Sequence, residues 1–327
     1  MRYNDDAQLD TSEVTDSRGG SGGGSMAGAG IIGLLIPLLF RGRSGKFSGV
    51  LVIVVVGVVV LLLSRGGSGG GQGVLGQLGQ GNNPATASNT DLARECKTGA
   101  DANSKLECAV VADINSVQDY WVAAYPSLAT HYRGAAPSYT EVDTVFFTGQ
   151  VSTRCGAATS DAGPFYCPGD KLVYIDLSFY NQLKSQFGAE GGPLVNAYVL
   201  AHEYGHHVQD LLGTESKVRT RQGASSDSVR LELQADCYAG VWMNHASQPA
   251  GGHPALITGI TQADLDSAVD TAQRIGDDYI QKKLGNGTVD PDSFTHGSSA
   301  QRKKWLTTGY RSGDALQCDT FSTSNLG

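Results

Sequence analysis

The chain of 327 residues is 40% hydrophobic and 17% charged, the proportions of a globular body and not of a disordered one. Its formal net charge is −8, which excludes the clustered positive surface that nucleic-acid binding requires. The length allows one large domain or two modest ones, and many of the 44 glycines crowd into the N-terminal quarter, where appendages are expected.

In chain order, residues 1–25 are polar, with Asp5, Asp6, Asp10, Glu13 and Asp16 ahead of a glycine cluster, and read as a solvated tail. Two apolar stretches follow. Ala27 to Phe40 is short and interrupted by Pro37, whereas Phe47 to Leu63 is an almost unbroken Val/Leu/Ile run that reaches the lower limit of roughly 17 residues for a membrane-crossing helix. Arg41, Arg43 and Lys46 lie between them and only Arg65 flanks the far side, so the positive-inside rule puts that cluster in the cytoplasm. The expected organisation is a cytoplasmic tail over 1–46 that includes the apolar segment 27–40, a transmembrane helix over 47–63, a Gly/Ser/Gln-rich linker over 64–90 and an extracytoplasmic domain over 91–327. Residues 27–40 are a candidate second crossing, and a cleaved signal peptide fits less well behind so long an acidic tail.

All six cysteines follow the apolar run: Cys96, Cys108, Cys155, Cys167, Cys237 and Cys318. An even number confined to an external body suits disulfides in an oxidising compartment, and the absence of a C-x-x-C pair leaves a zinc ribbon unsupported. The short-loop solution pairs Cys96 with Cys108 and Cys155 with Cys167, leaving Cys237 with Cys318; buried free thiols are the alternative.

Helical spacing covers 106–124 and 178–187, then Pro193 to Asp210 with a proline at its start, and Ser226 to His245. Thr261 to Leu284 opens on a Thr cap with Asp264 three residues on, and Ser298 to Gly309 forms a last helix. Asp143 to Phe147 and Lys171 to Ile175 read as strands. Helices outnumber strands, which points to an α+β class.

Within Pro193 to Asp210 lies His202-Glu203-Tyr204-Gly205-His206, an H-E-x-x-H pattern. Residues four apart share one helix face, so two imidazoles can converge on one tetrahedral zinc ion with the glutamate beside it. Catalytic zinc needs a third protein ligand. The next helix offers Glu232 and Asp236, again four apart on an otherwise apolar face, where unpaired carboxylates are costly. Glu232 is the expected third ligand and Asp236 the acid that orients a ligand imidazole; ion pairs with Arg219 or Arg230 are the bland alternative. His296 is a candidate donor to a developing oxyanion, with a capping or core role as its alternative. Tyr204, His207, His131, His245 and His253 read as structural. An extended substrate would add to a strand edge, with Val173 to Ile175 as the candidate.

The motif resembles that of gluzincin-type zinc peptidases, and the Glu232 to Asp236 spacing looks like that of integral-membrane peptidases related to the CAAX protease. Thr295-His296 with Arg302 is similar to a Thr-His…Arg element of those enzymes, with Gly297 where they carry proline. More closely, His202–Gln209, Ser228–Gly240 and Ser293–Arg302 resemble the bacterial neutral zinc metallopeptidase family (YpfJ-type). That resemblance implies a mainly helical zincin-like metallopeptidase domain with a small β-sheet, here expected behind a transmembrane helix. It implies Zn2+ held by His202, His206 and Glu232, Glu203 as general base, peptide or protein substrates, and membrane attachment through 47–63. Two other readings use the same residues: a tethered binding or assembly protein with a structural or vestigial zinc, and a zinc amidase acting on cell-wall material.

Overall fold

The computed structural model describes residues 1–18 and 89–327. Two short strands come first, β1 (Arg2–Tyr3) and β2 (Val14–Asp16). Helices α1 (Asn89–Glu95), α2 (Gly99–Ala102) and α3 (Leu106–Ala129) follow. Five strands then run as β3 (Thr144–Phe146), β4 (Gln150–Thr153), β5 (Gly156–Thr159), β6 (Phe165–Cys167) and β7 (Leu172–Ile175). The rest is α4 (Phe179–Ser185), α5 (Pro193–Leu212), α6 (Asp227–His245), β8 (Ile257–Thr258), α7 (Gln262–Arg274), α8 (Asp277–Lys283) and α9 (Ser299–Ser312).

Helical periodicity explains the core. Along α3, Val110, Ile114, Val117, Trp121 and Tyr125 recur three or four residues apart and are all fully buried. They join apolar residues of α5 and α6, among them Tyr198, Leu233 and Trp242, in one large cluster. The main sheet has the order β2-β3-β7-β6; β2, β3 and β7 are parallel, and β6 is an antiparallel edge. A satellite cluster of Val145, Phe147, Cys167 and Tyr174 lies beside the β4–β5 hairpin.

Helices α6 and α9 pack at backbone distance. A Cβ on Gly309 would lie 1.9 Å from the Cys237 carbonyl oxygen, and one on Gly240 would lie 2.2 Å from that of Leu306. Three disulfides, Cys96–Cys108, Cys155–Cys167 and Cys237–Cys318, coincide with the short-loop pairing.

Several expectations need correction. Among the described residues no helix is long and apolar enough to cross a membrane, so the expected domain behind a transmembrane helix becomes a mixed helical body with three small sheets. The expected segments 27–40 and 47–63, and the linker up to residue 88, lie outside the described residues. Residues 1–18 are not a solvated tail. β1 pairs antiparallel with β8, β2 pairs in parallel with β3, and the Asn103 side chain extends β1 by bonding both the N–H and the carbonyl of Tyr3 at 3.0 and 2.9 Å.

The helix expected over Thr261 to Leu284 is broken at Ile275–Gly276. Asp277 and Asp278 then turn to accept backbone N–H groups of Thr295, His296, Gly297 and Ser299. Val173 to Ile175 offers no free edge, because β7 is paired on both sides.

Two predictions follow from packing and charge. Gly309→Ala is expected to cost roughly 1–3 kcal/mol, the range for forcing extra volume into a close-packed contact. Denaturant melts check it, and an unchanged midpoint would mean that α6 and α9 part freely. Glu13, bonded by Asn115, is pushed up to about 7 by burial, against a hydrogen-bonding pull in the other direction. A folded value above the unfolded one means that its contribution is complete below about pH 4.5 and is lost as pH rises through 7. That contribution is on the order of 3 kcal/mol at about 1.4 kcal/mol per pKa unit. Glu13→Gln should therefore reduce the fall in stability between about pH 5 and about pH 8, read from melts at both.

Candidate metal centre

Helix α5 starts on Pro193, whose fixed φ and missing N–H suit a first helical position, and stops at Gly213 in the left-handed region at φ 70°. Its acidic and basic residues are His202, Glu203, His206, His207 and Asp210, so the chemistry is concentrated on a largely apolar, buried rod. One turn apart, the His202 and His206 rings lie perpendicular with centroids 4.8 Å apart. Gly205, on the same helix, meets the backbone of α6; a Cβ there would lie 3.1 Å from both Cα and the carbonyl oxygen of Ala235. That close approach brings Glu232 to the histidines. Its Oε2 is 3.2 Å from His202 Nε2 and its Oε1 is 3.6 Å from His206 Nε2.

These donor atoms all lie within 4.8 Å of one another, the one such group found among the described residues. Two imidazole nitrogens and a carboxylate oxygen are the donor set of a catalytic zinc with an open fourth position. The other imidazole nitrogens are already engaged. His202 Nδ1 is 2.9 Å from Asp236 Oδ1, and His206 Nδ1 is 2.9 Å from Gln209 Oε1. Acceptors there fix the tautomer that turns both Nε2 atoms inward, as metal-ligating histidines require.

The electrostatics agree with a cation site. Burial disfavours a charged His202, yet hydrogen bonds to Asp236 and Glu232 prevail and raise its pKa to about 10. Burial would raise Glu232, but His206, His296 and His202 hold it well below the usual carboxylate range. Positive charge is thus drawn to the space between two imidazoles and one ionised carboxylate, where a divalent ion would replace protons.

Behind the ligands, Asp236 is held low against its burial by Arg302. The guanidinium reaches both oxygens, Nε to Oδ2 and Nη2 to Oδ1, each at 2.8 Å. Tyr198 donates to Oδ1 at 2.6 Å and accepts from Arg302 Nη2 at 3.1 Å. The Gln209 amide in turn donates to the Leu231 carbonyl at 2.7 Å and to Gln234 Oε1 at 3.1 Å, and Gln234 donates to the carbonyl of disulfide-bonded Cys318 at 3.0 Å.

Glu203 is next to the cluster with Oε2 accepting the Tyr166 N–H at 3.0 Å; burial raises its pKa, and His202 and His206 partly offset the rise. His296 stands on the loop gathered by Asp277, with Nδ1 2.8 Å from Thr295 Oγ1 and 3.6 Å from Asp277 Oδ1. Burial disfavours its charged form, while Glu232 and Asp277 outweigh that and raise its pKa.

The six expected site residues therefore fall in one region. The bland partners of the two acids do not occur: Arg230 donates to the carbonyls of Thr320 and Thr323, and Arg219 meets Asp227 through its backbone. Sequence reasoning missed Gln209 and Tyr198, although each is legible as one helical turn from a ligand histidine. Tyr166 carried no such signal, being 37 residues from Glu203.

A family model described as "Putative neutral zinc metallopeptidase" matches residues 1–321. The chain is 39% identical over 321 residues to the uncharacterized protein YpfJ of Escherichia coli K12, covering 96% of this chain and 97% of that one. It is 46% identical over 259 residues to the uncharacterized protein Rv2575 of Mycobacterium tuberculosis H37Rv, covering 78% of this chain and 84% of that one. No solved structure matches the chain.

Gln209→Ala is expected to weaken zinc binding by about 10- to 100-fold and to cost about 1–3 kcal/mol of fold stability, because Gln234 Oε1 and the Leu231 carbonyl lose a buried donor. Asp236→Ala should weaken it similarly and also cost about 3–5 kcal/mol, because Arg302 is left buried without its partner. Chelator competition and melts of the metal-free proteins separate the two effects. Unchanged affinity in Gln209→Ala would mean that His206 keeps its orientation without the amide.

Proposed function

The chain belongs to the neutral zinc metallopeptidase family, and on that footing we propose that it hydrolyses peptide bonds outside the cytoplasm, with His202, His206 and Glu232 as zinc ligands and Glu203 as general base. The observation that carries this reading is the three-donor cluster with the Glu203 carboxyl one residue from a ligand on the same buried helix. Among the described residues no fourth His, Cys, Asp or Glu completes the group, and an open corner is the mark of a catalytic zinc, whereas structural sites are closed.

When bound, zinc would acidify a water and polarise the scissile carbonyl. Glu203, whose carboxyl burial raises above its ordinary pKa, takes the water's proton and passes it to the leaving nitrogen. Asp236 keeps the His202 Nδ1 proton, and Gln209 does the same for His206, so neither imidazole rotates as charge develops. His296, raised by Glu232 and Asp277, supports a donor role toward the oxyanion. The three disulfides support an oxidising, extracytoplasmic setting.

Glu203→Gln is expected to retain zinc at wild-type stoichiometry and to lower peptide hydrolysis by about 100- to 10,000-fold, since an amide cannot accept the proton. Elemental analysis and a peptide-library assay with and without chelator test both halves. Full activity in that variant would remove the base assignment, and an inert wild-type protein holding stoichiometric zinc would favour a binding protein.

A further inference from the structure

Helix α5 carries two adjacent stripes. His202, His206 and Gln209 belong to the metal; Glu203, His207 and Asp210, at positions i, i+4 and i+7, form a neighbouring line. All three residues of that second line touch one residue, Tyr166 of the edge strand β6. Its backbone N–H donates to Glu203 Oε2 at 3.0 Å. Its hydroxyl lies 3.0 Å from both Asp210 Oδ2 and His207 Nδ1. His207 Nε2 donates to the Thr140 carbonyl at 2.7 Å, which leaves Nδ1 an acceptor facing the tyrosine, so His207 and Asp210 are alternative acceptors for the one hydroxyl proton.

The free edge of β6 is short of donors. The Cys167 carbonyl accepts the Lys171 N–H at 2.7 Å in the turn to β7, so residue 167 faces β7. Alternation along an extended chain then turns the backbone of residues 164, 166 and 168 the other way. Consistently, Tyr166 sits opposite Val173, whose N–H goes to Asp143 on the far side of β7. Residues 164 and 168 are prolines and have no N–H. Tyr166 holds the one donor of that edge, and Glu203 takes it.

We propose that Tyr166, clamped by His207 and Asp210, is the positioning residue for Glu203, and that β6 is thereby closed to strand addition by a peptide substrate. The proposal rests on the peptidase reading for its kinetic consequence and on the contact alone for its structural one. A proline-flanked edge resists pairing with any further strand, so the strand beside the site serves the enzyme's own carboxylate and peptides gain no donor from it.

The test replaces the Tyr166 amide by an ester in the full-length chain, by incorporating the α-hydroxy analogue of tyrosine, which deletes the N–H and keeps the side chain. Loss of one hydrogen bond to a carboxylate should lower kcat by about 10- to 100-fold, with KM within about twofold and zinc content unchanged. Tyr166→Phe, which frees the side-chain anchor, should lower kcat in the same sense by a smaller factor. A raised KM at constant kcat would overturn the proposal, because the N–H would then be binding substrate. Hydrogen exchange reads the contact without turnover. The Tyr166 amide should exchange at least about tenfold faster in Glu203→Ala than in the parent, whereas the Cys167 amide, facing β7, should not change. Equal exchange at Tyr166 overturns the contact, and an unsubstituted protein without hydrolysis overturns the proposed function while leaving the exchange result to stand on its own.

Discussion

The buried pair of Asp236 and Arg302 is the interaction on which the arrangement of the candidate site depends. Both side chains are almost wholly excluded from water, and each would be costly alone. The carboxylate accepts from Arg302 of α9 and from Tyr198 of α5, and holds His202 of α5, so three helices meet at one group. The close approach of α6 and α9 through Gly240 and Gly309 lets a guanidinium on one reach a carboxylate on the other. Packing therefore sets the orientation of the first ligand imidazole.

A single helix is asked to do two things. One stripe of α5 faces α6 and gathers the metal donors; the next faces β6 and holds the base. Residues one apart on a helix diverge by roughly 100°, so each stripe needs its own partner surface. Gly205 supplies the first by letting α6 approach, and the short, disulfide-linked strand β6 supplies the second. The base and the ligands are thus adjacent in sequence and independently supported.

The loop bearing His296 shows how a charge pattern can be misread. Asp277 and Asp278 look like ordinary helix residues in a long amphipathic run, yet each spends its carboxylate on backbone N–H groups some 20 residues away. The helix breaks so that they can. Gly297, at φ 95°, makes the turn that this loop requires. The N-terminal segment is hidden from the sequence for a related reason: strands of two or three residues in polar sequence carry no periodicity, and their pairing with β8 and β3 is a tertiary matter.

Local spacing by itself determined what depends on one helix. His202 and His206 share a face because they are four apart, and Glu232 and Asp236 do so for the same reason, whereas the short-loop cysteine pairing is one of several the sequence allows and is chosen by the structure. The ends of α5 and α6 were legible to within a few residues from Pro193 and Ser226. Only the tertiary structure decided which residues answer them: Arg302 and not Arg230 for Asp236, Tyr166 for Glu203, Gln234 and the Leu231 carbonyl for Gln209. The physical reason is that backbone geometry repeats over three or four residues and so can be read along the chain, whereas a partner for a buried polar group is chosen by whatever surface packs against it.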